Sequence, residues 1–157
     1  MIECQPQANG HRFAIVVSRY NESITEALLQ GAVSTLTSAG VDDDAIVVVR
    51  VPGAWEIPLT ANRLAASGKF DAVLTLGAVI RGETTHDEHI NRAVSLGLTE
   101  ASLANGIPVV FGVLTCNSLE QAIHRSGGNV GNKGQECAEA ALEMAALMKQ
   151  LDQTLYQ

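Results

Sequence analysis

The sequence predicts a three-layer α/β fold in which helices cover both faces of a doubly wound, four-stranded parallel sheet. Four short runs rich in β-branched residues are almost continuously apolar, which is typical of strands buried on both faces. Segments with apolar residues at helical spacing separate these runs. Because strands that alternate with helices form right-handed βαβ units, the strands are expected to be parallel.

The four predicted strands are residues 13–17, 46–51, 72–76 and 109–114. The predicted helices are residues 22–39, 56–66, 84–104 and 134–150. Gly40, Gly68 and Gly106 lie just beyond the first three helices, where glycine is favoured because it adopts positive φ readily. We expect residues 12–157 to form one domain. Residues 1–11 are polar and weakly patterned, and we expect them to be loose or bound by a neighbouring chain.

Composition excludes several classes of protein. With 46% hydrophobic and 17% charged residues, the 157-residue chain is too apolar to be disordered. It has neither an apolar run long enough to cross a bilayer nor a leader pattern, so we expect a cytoplasmic protein without membrane contacts. A formal net charge of −7 disfavours nucleic acid as a partner. Cys4, Cys116 and Cys137 form no Cys-x-x-Cys pair, which argues against disulfides, a zinc site or a redox pair.

Ligands of a parallel sheet bind beyond the carboxyl ends of its strands. This rule selects four loops, at residues 18–21, 52–56, 77–86 and 115–117. In the third loop, Arg81 to Thr85 precede a helix, so backbone N–H groups, the helix dipole and two hydroxyls could bind an anion. The alternative is that Thr84 or Thr85 only caps the helix.

His86 follows in the first turn of the same helix. An imidazole there could relay protons, although a packed or capping histidine is the commoner use of such a position. His86 and His89 are spaced so that they could share a metal ion, but the run is neither the His-Glu-x-x-His zinc pattern nor the Glu-x-x-His pair of a di-iron bundle. No matching third ligand is evident, so we predict no metal site. Asp87, Glu88 and His89 are interpreted as helix-start charges on a solvated face.

A glycine-rich loop from Arg125 to Gly134 precedes the last helix and carries the cations Arg125 and Lys133. Such a loop lets backbone amides approach an anion, but a flexible connection with exposed charges has the same composition. Neither nucleotide-binding glycine motifs nor a Gly-x-Ser-x-Gly nucleophile motif is present. The remaining parts suit a reaction that needs orientation of its substrates more than a strong catalyst.

Five segments carry a family resemblance that covers almost the whole chain. They are VPGAWEIP at 51–58, KFDA at 69–72, LGAVIRGETTH at 76–86, FGVLT at 111–115 and GNKG at 131–134. The chain resembles the lumazine synthase family in these segments. The resemblance implies a flavodoxin-like fold and condensation of 5-amino-6-(D-ribitylamino)uracil with 3,4-dihydroxy-2-butanone 4-phosphate. The implied product is 6,7-dimethyl-8-ribityllumazine, with release of phosphate and water, in the penultimate step of riboflavin biosynthesis. The resemblance implies no metal and no organic cofactor.

The resemblance also assigns roles to residues. It implies that Tyr20 stacks on the heterocycle, that His86 relays protons, and that Arg125 of a neighbouring subunit binds the phosphate. Lys133 and Phe111 would come from the same neighbour, which makes an oligomer obligatory for activity. The other implied substrate contacts are Ala54, Trp55 and Glu56 at the ring and ribityl chain, Val79 and Ile80 at the pyrimidine, and Glu83, Thr84 and Thr85 at the phosphate.

The sequence departs from the family pattern in four places. Tyr20 stands where phenylalanine is usual and Trp55 where phenylalanine or tyrosine is common, and these electron-rich rings predict measurable riboflavin binding. Asp87 to His89 replace a Tyr-Asp-Tyr-like continuation, which changes the local helix-surface contacts. Asn129 replaces a common lysine and weakens the positive field of its loop.

Members of the family assemble as pentamers, decamers or hollow shells of sixty subunits. The loop from Arg125 to Gly134 has no insertion, which resembles the shell-forming members. A riboflavin synthase is a further candidate partner of such a shell. Two other functions are a flavin or lumazine carrier and a purely structural cage, but neither would need His86, Arg125 and Lys133.

Overall fold

Four parallel strands form the central sheet in the computed structural model, which describes residues 1–157. Strand β1 spans Phe13–Ser18, β2 Ile46–Val51, β3 Ala72–Ile80 and β4 Val109–Cys116. They lie in the order β2-β1-β3-β4, with all neighbours parallel. This order matches the beginning of the flavodoxin-like arrangement. The predicted fold class is confirmed.

Helices cover both faces of the sheet. They are α1 (Glu22–Ser38), α2 (Ile57–Ala66), α3 (His86–Asn105), α4 (Leu119–Arg125) and α5 (Lys133–Leu155). Helices α1 and α5 contact each other on one face, and α2 and α3 contact each other on the opposite face. The side chains of β1 alternate between the two cores, because successive strand residues point to opposite faces. No helix of the structure combines the length and apolarity that crossing a membrane requires.

The edge strands correct one expectation about burial. Strands β1 and β3 are central and almost completely buried, but β2 alternates between partly buried and exposed residues. Val48 of β2 is 40% exposed, and Arg50 forms an exposed ion pair with Glu26 of α1, with 3.0 Å between Nη1 and Oε2. On β4, Phe111 is 43% exposed. Each edge strand has a strand neighbour on one side only, so the prediction of burial on both faces was wrong for β2 and β4.

Strand β3 is longer than predicted and reaches into the site loop. Residues 77–80 were expected in a loop but pair in register with β4, as far as Ile80 opposite Cys116. Gly77 allows this continuation because a Cβ there would lie 2.9 Å from Oγ of Ser18 on β1. The longer strand carries Val79 and Ile80 to the carboxyl edge of the sheet.

The connection from β4 to α5 contains structure that the sequence pattern did not predict. Helix α4 begins after Ser118, whose Oγ accepts a hydrogen bond of 3.2 Å from the backbone N–H of Gln121. Two short antiparallel strands follow, β5 (Ser126–Gly128) and β6 (Gly131–Asn132). Helix α5 then begins at Lys133, where Asn132 accepts from the backbone N–H of Gln135 and donates to the carbonyl oxygen of Ala27.

Residues 1–11 form neither helix nor strand. Cys4 donates from Sγ to Oε1 of Gln150 on α5 at 2.9 Å, and the His11 side chain is buried. The division into a loose segment at 1–11 and a domain at 12–157 stays a prediction.

Candidate active site

A cavity of about 300 Å³ opens at the carboxyl edge of the sheet, beyond the ends of β1 and β3. It is lined by six residues that the sequence assigned to the site, namely Tyr20, Ala54, Val79, Ile80, Thr84 and His86. Its other lining residues are Asn21, Ala78, Gly82, Asp87 and Ile90. The rule that ligands bind beyond the carboxyl ends of parallel strands therefore selected the loops that form this cavity.

The loop after β1 is held in place by its backbone and by one side chain. The backbone N–H of Tyr20 donates to the carbonyl oxygen of Pro52 at 3.0 Å. Asn21 adopts a left-handed conformation with φ 61° and ψ 51°, which asparagine tolerates better than most residues. Its Nδ2 donates to the carbonyl oxygen of Ala78 at 2.9 Å. These bonds tie the loop of β1 to the loop of β2 and to β3.

Tyr20 is 68% exposed and lies against the backbone of Gly53. A Cβ at Gly53 would lie 2.5 Å from Cδ2 of the Tyr20 ring, so only glycine lets the ring approach this closely. Glu56 accepts a hydrogen bond of 2.9 Å from the backbone N–H of Gly53 through Oε2. Gly53 thus links the aromatic ring to the carboxylate. The neighbouring Trp55 is 61% exposed and does not line the cavity.

The loop before α3 brings His86 to the cavity. Its backbone N–H donates to Oγ1 of Thr84 at 3.3 Å, whereas the side chain of the N-cap residue Thr85 makes no capping hydrogen bond. The His86 side chain is exposed and therefore is not a packed core histidine. Glu83 and Thr85 are exposed beside the cavity without lining it.

Asp87 corrects the interpretation of the first turn of α3 as a solvated face. Glu88 and His89 are exposed as expected, but Asp87 is only 8% exposed and lines the cavity. The reason is geometric, because successive residues of a helix point about 100° apart and only some of them face the sheet. The charge of a side chain does not determine whether it faces the sheet or the solvent.

Arg125 and Lys133 lie in a second cavity of about 270 Å³ between β4 and the β5–β6 hairpin. Arg125 ends α4 and Lys133 begins α5, where Nζ lies 3.3 Å from Oε2 of Glu136. Phe111 lines a third depression, between α3 and β4. Within one chain, these three residues are therefore not gathered around His86.

Two glycines shape the hairpin beside this second cavity. Gly127 has φ 116° and Gly131 has φ 104°, values that residues with a side chain rarely adopt. The turn itself therefore requires glycine at these two positions. This supports in part the alternative that the loop serves as a connection between α4 and α5.

Cys4, Cys116 and Cys137 are free thiols, and Cys116 and Cys137 are buried. Burial raises the pKa of the Cys116 thiol, and the charge of the Arg125 guanidinium opposes part of that shift. Burial also raises the pKa of Cys137 to about 11, with Lys133 opposing the shift and Glu136 adding to it. Both thiols are therefore protonated and poor nucleophiles near neutral pH. No group of three or more His, Cys, Asp or Glu side chains forms that could hold a metal ion.

Sequence reasoning missed two polar residues of the first cavity, Asn21 and Asp87. Asn21 lay in a selected loop, and its tolerance of left-handed backbone was a signal that could have marked it. Asp87 had no comparable signal, because burial of one residue in a charged run depends on how the helix docks.

The sequence of the chain was compared with those of known proteins. The family model described as 6,7-dimethyl-8-ribityllumazine synthase matches residues 10–149. A relative of that name from Salinibacter ruber is 51% identical over 144 residues, which cover 92% of each chain. Another of that name, from Desulfotalea psychrophila, is 53% identical over 150 residues, covering 96% of this chain and 97% of the relative. The chain belongs to the 6,7-dimethyl-8-ribityllumazine synthase family.

Proposed function

We propose that this protein is a transferase that forms 6,7-dimethyl-8-ribityllumazine in riboflavin biosynthesis. Its substrates are 5-amino-6-(D-ribitylamino)uracil and 3,4-dihydroxy-2-butanone 4-phosphate, and phosphate and water are released. The observation that carries this function is the family match over residues 10–149, which includes every residue of the cavity at the carboxyl edge.

In this cavity, Tyr20 stacks on the heterocycle while Ala54, Val79 and Ile80 contact the rings. The exposed Tyr20 face and the apolar neighbours support this arrangement, since planar ligands bind against aromatic and apolar surfaces. His86 relays protons during imine formation, phosphate loss and ring closure. Its exposed imidazole beside the cavity supports that role.

The loops around the cavity bind the two polar ends of the substrates. Trp55 and Glu56 contact the ring and ribityl chain, and the bond from Gly53 to Oε2 of Glu56 leaves Oε1 for a ribityl hydroxyl. Glu83, Thr84 and Thr85 border the phosphate. Free backbone N–H groups before α3 and the positive end of that helix support an anion there.

We further propose that Phe111, Arg125 and Lys133 complete the site from a neighbouring subunit. Their separation from His86 within the chain supports this division, because a single chain offers no cation among the residues that line the His86 cavity. Arg125 binds the phosphate, and Lys133 lies near the pyrimidine and ribityl end. The protein would then be active only as an oligomer.

The proposed oligomer is built on pentamers. Exposed apolar side chains on the outer faces of α2, α3 and β4 support an interface there, namely Leu59, Leu96, Leu103 and Phe111. The ungapped loop from Arg125 to Gly134 favours a shell of sixty subunits. Association with riboflavin synthase and a cytoplasmic location stay predictions. Sedimentation and electron microscopy measure the assembly directly.

Mixing the two substrates with the purified protein tests the function. We expect a fluorescent lumazine and inorganic phosphate to form in equal amounts, faster than in the mixture without protein. A carrier would bind lumazine or riboflavin without accelerating its formation, and a structural cage would do neither. Phosphate release at the spontaneous rate would therefore reject the proposal that the protein is an enzyme.

A further inference from the structure

Asp87 has a position that the roles given above do not use. It is the second residue of α3, directly after His86, and its side chain is 8% exposed. The same cavity is lined by Asp87, His86 and Tyr20. Among the 11 lining residues, Asp87 is the only acidic one. The cavity therefore contains one carboxylate, beside the histidine.

The carboxylate of Asp87 has no donor within the protein. The ion pairs of the chain join Arg50 to Glu26, His124 to Glu120 and Lys133 to Glu136. The side-chain hydrogen bonds at the start of α3 involve Thr84 and not Asp87. A buried polar group without a partner is costly, so such a group is retained where a ligand or water supplies the partner.

The open side of this carboxylate is the cavity. The side-chain atoms that are enclosed and unpartnered are Nδ1 of His11 and Oγ of Ser18, and the oxygens of Asp87 are not among them. Since Asp87 also lines the cavity, its oxygens are accessible from that side. A molecule in the cavity can therefore donate a hydrogen bond to Asp87.

Charge determines which part of a substrate can lie there. Unpaired N–H groups give the first turn of a helix a partial positive charge, which attracts a carboxylate. An ionised carboxylate repels a phosphate and attracts an amine or amide N–H, so the phosphate would lie towards Thr84 and Thr85 and away from Asp87. Asp87 thus favours the nitrogen-bearing substrate at its end of the cavity.

We propose that Asp87 is a second acid–base residue of the site, which accepts the proton lost by the attacking amine. This inference rests on the proposed function. The lone pair of the pyrimidine amine forms the bond to the ketone carbon, and the carbonyl π electrons move to oxygen. The nitrogen loses a proton to the Asp87 carboxylate, and the oxygen takes one from protonated His86. A neutral carbinolamine results, and proton exchange with solvent restores both side chains.

Asp87→Asn tests this role because it keeps the size of the side chain and removes the base. We expect kcat to fall on the order of tenfold to a hundredfold, at or below the low end of the range for acid–base help. The Michaelis constant for the phosphorylated ketone should not rise.

The matched control is Glu88→Gln, which makes the same change at the exposed neighbour and should behave as wild type. Asp87→Glu keeps the carboxylate and should recover part of kcat. Equal turnover of Asp87→Asn and wild type would overturn the proposal, as would a folded Asp87→Glu with no more turnover than Asp87→Asn. Wild-type protein that forms no lumazine would instead reject the proposed function.

Discussion

The side-chain amide of Asn21 donates a hydrogen bond of 2.9 Å to the carbonyl oxygen of Ala78. This bond joins the loop after β1 to the last part of β3, so it sets the distance between Tyr20 and Val79 on the two sides of the cavity. Both residues would contact the pyrimidine in the proposed function. The relative position of two substrate contacts therefore depends on a residue that need not contact the substrate itself.

Asn21→Asp should weaken pyrimidine binding more than it slows the reaction. Aspartate tolerates the left-handed backbone, but its ionised carboxylate cannot donate to the Ala78 carbonyl and is repelled by it. We expect a severalfold rise in the Michaelis constant for the pyrimidine and a loss of about 1–3 kcal/mol in the free energy of unfolding. Steady-state kinetics and urea denaturation measure the two effects. Unchanged values in both would show that this bond does not position Tyr20.

Gly53→Ala should displace the Tyr20 ring and reduce riboflavin binding. The added Cβ would lie 2.5 Å from Cδ2 of Tyr20, too close for the ring to keep its place. Quenching of flavin fluorescence measures the dissociation constant, which we expect to rise severalfold. The matched control is the same change in a Tyr20→Ala background, where it should have little further effect because the contact is already absent. An equal effect in both backgrounds would contradict this explanation.

Arg125→Ala should raise the Michaelis constant for the phosphorylated ketone far more than that for the pyrimidine. The guanidinium is the proposed phosphate ligand, and Arg–phosphate bonds are strong because both groups are charged. Lys69→Ala removes an exposed cation just before β3, at the opposite edge of the sheet from the site, and should leave both constants unchanged. Equal increases for the two substrates would mean that Arg125 does not bind the phosphate.

Two impaired variants should restore activity to each other if the site is shared between subunits. His86→Ala alone should slow turnover by about tenfold to a hundredfold. In oligomers assembled from His86→Ala and Arg125→Ala chains, some sites receive an intact His86 from one chain and an intact Arg125 from its neighbour. Co-expressed variants should therefore exceed the average activity of the separate proteins at the same total concentration. Activity equal to that average would place both residues in the site of one chain.

Alkaline pH should destabilise the fold through Cys137. Burial raises its pKa from 9.0 to about 11, so the folded state holds the thiol proton more tightly than the unfolded state. The resulting stability is fully present below the unfolded pKa and is lost as pH rises towards about 11. Urea denaturation should show a smaller decline in the free energy of unfolding for Cys137→Ala across this pH interval. The same slope in wild type and variant would contradict the assignment to this thiol.

The sequence by itself determined the α/β fold and the position of the site along the chain. Apolar runs and helical spacing are local properties, and they marked all four strands of the main sheet and the four long helices. The short helix α4 and the β5–β6 hairpin were missed because segments of seven, three and two residues carry no measurable period. The family resemblance, in turn, named Tyr20 and His86 before their shared cavity was known.

Only the tertiary structure determined which strands are neighbours and which side chains share a cavity. The sequence pattern treated every strand as buried on both faces, yet β2 and β4 became edges because the order of strands is a long-range property. It treated Asp87 as one charge among its neighbours, whereas the docking of α3 turned this carboxylate into the cavity of Tyr20 and His86. The family resemblance implied that Arg125 acts from a neighbouring subunit, and the tertiary structure places Arg125 in a separate cavity of the same chain. Burial and proximity depend on how distant segments pack, and no local pattern contains that information.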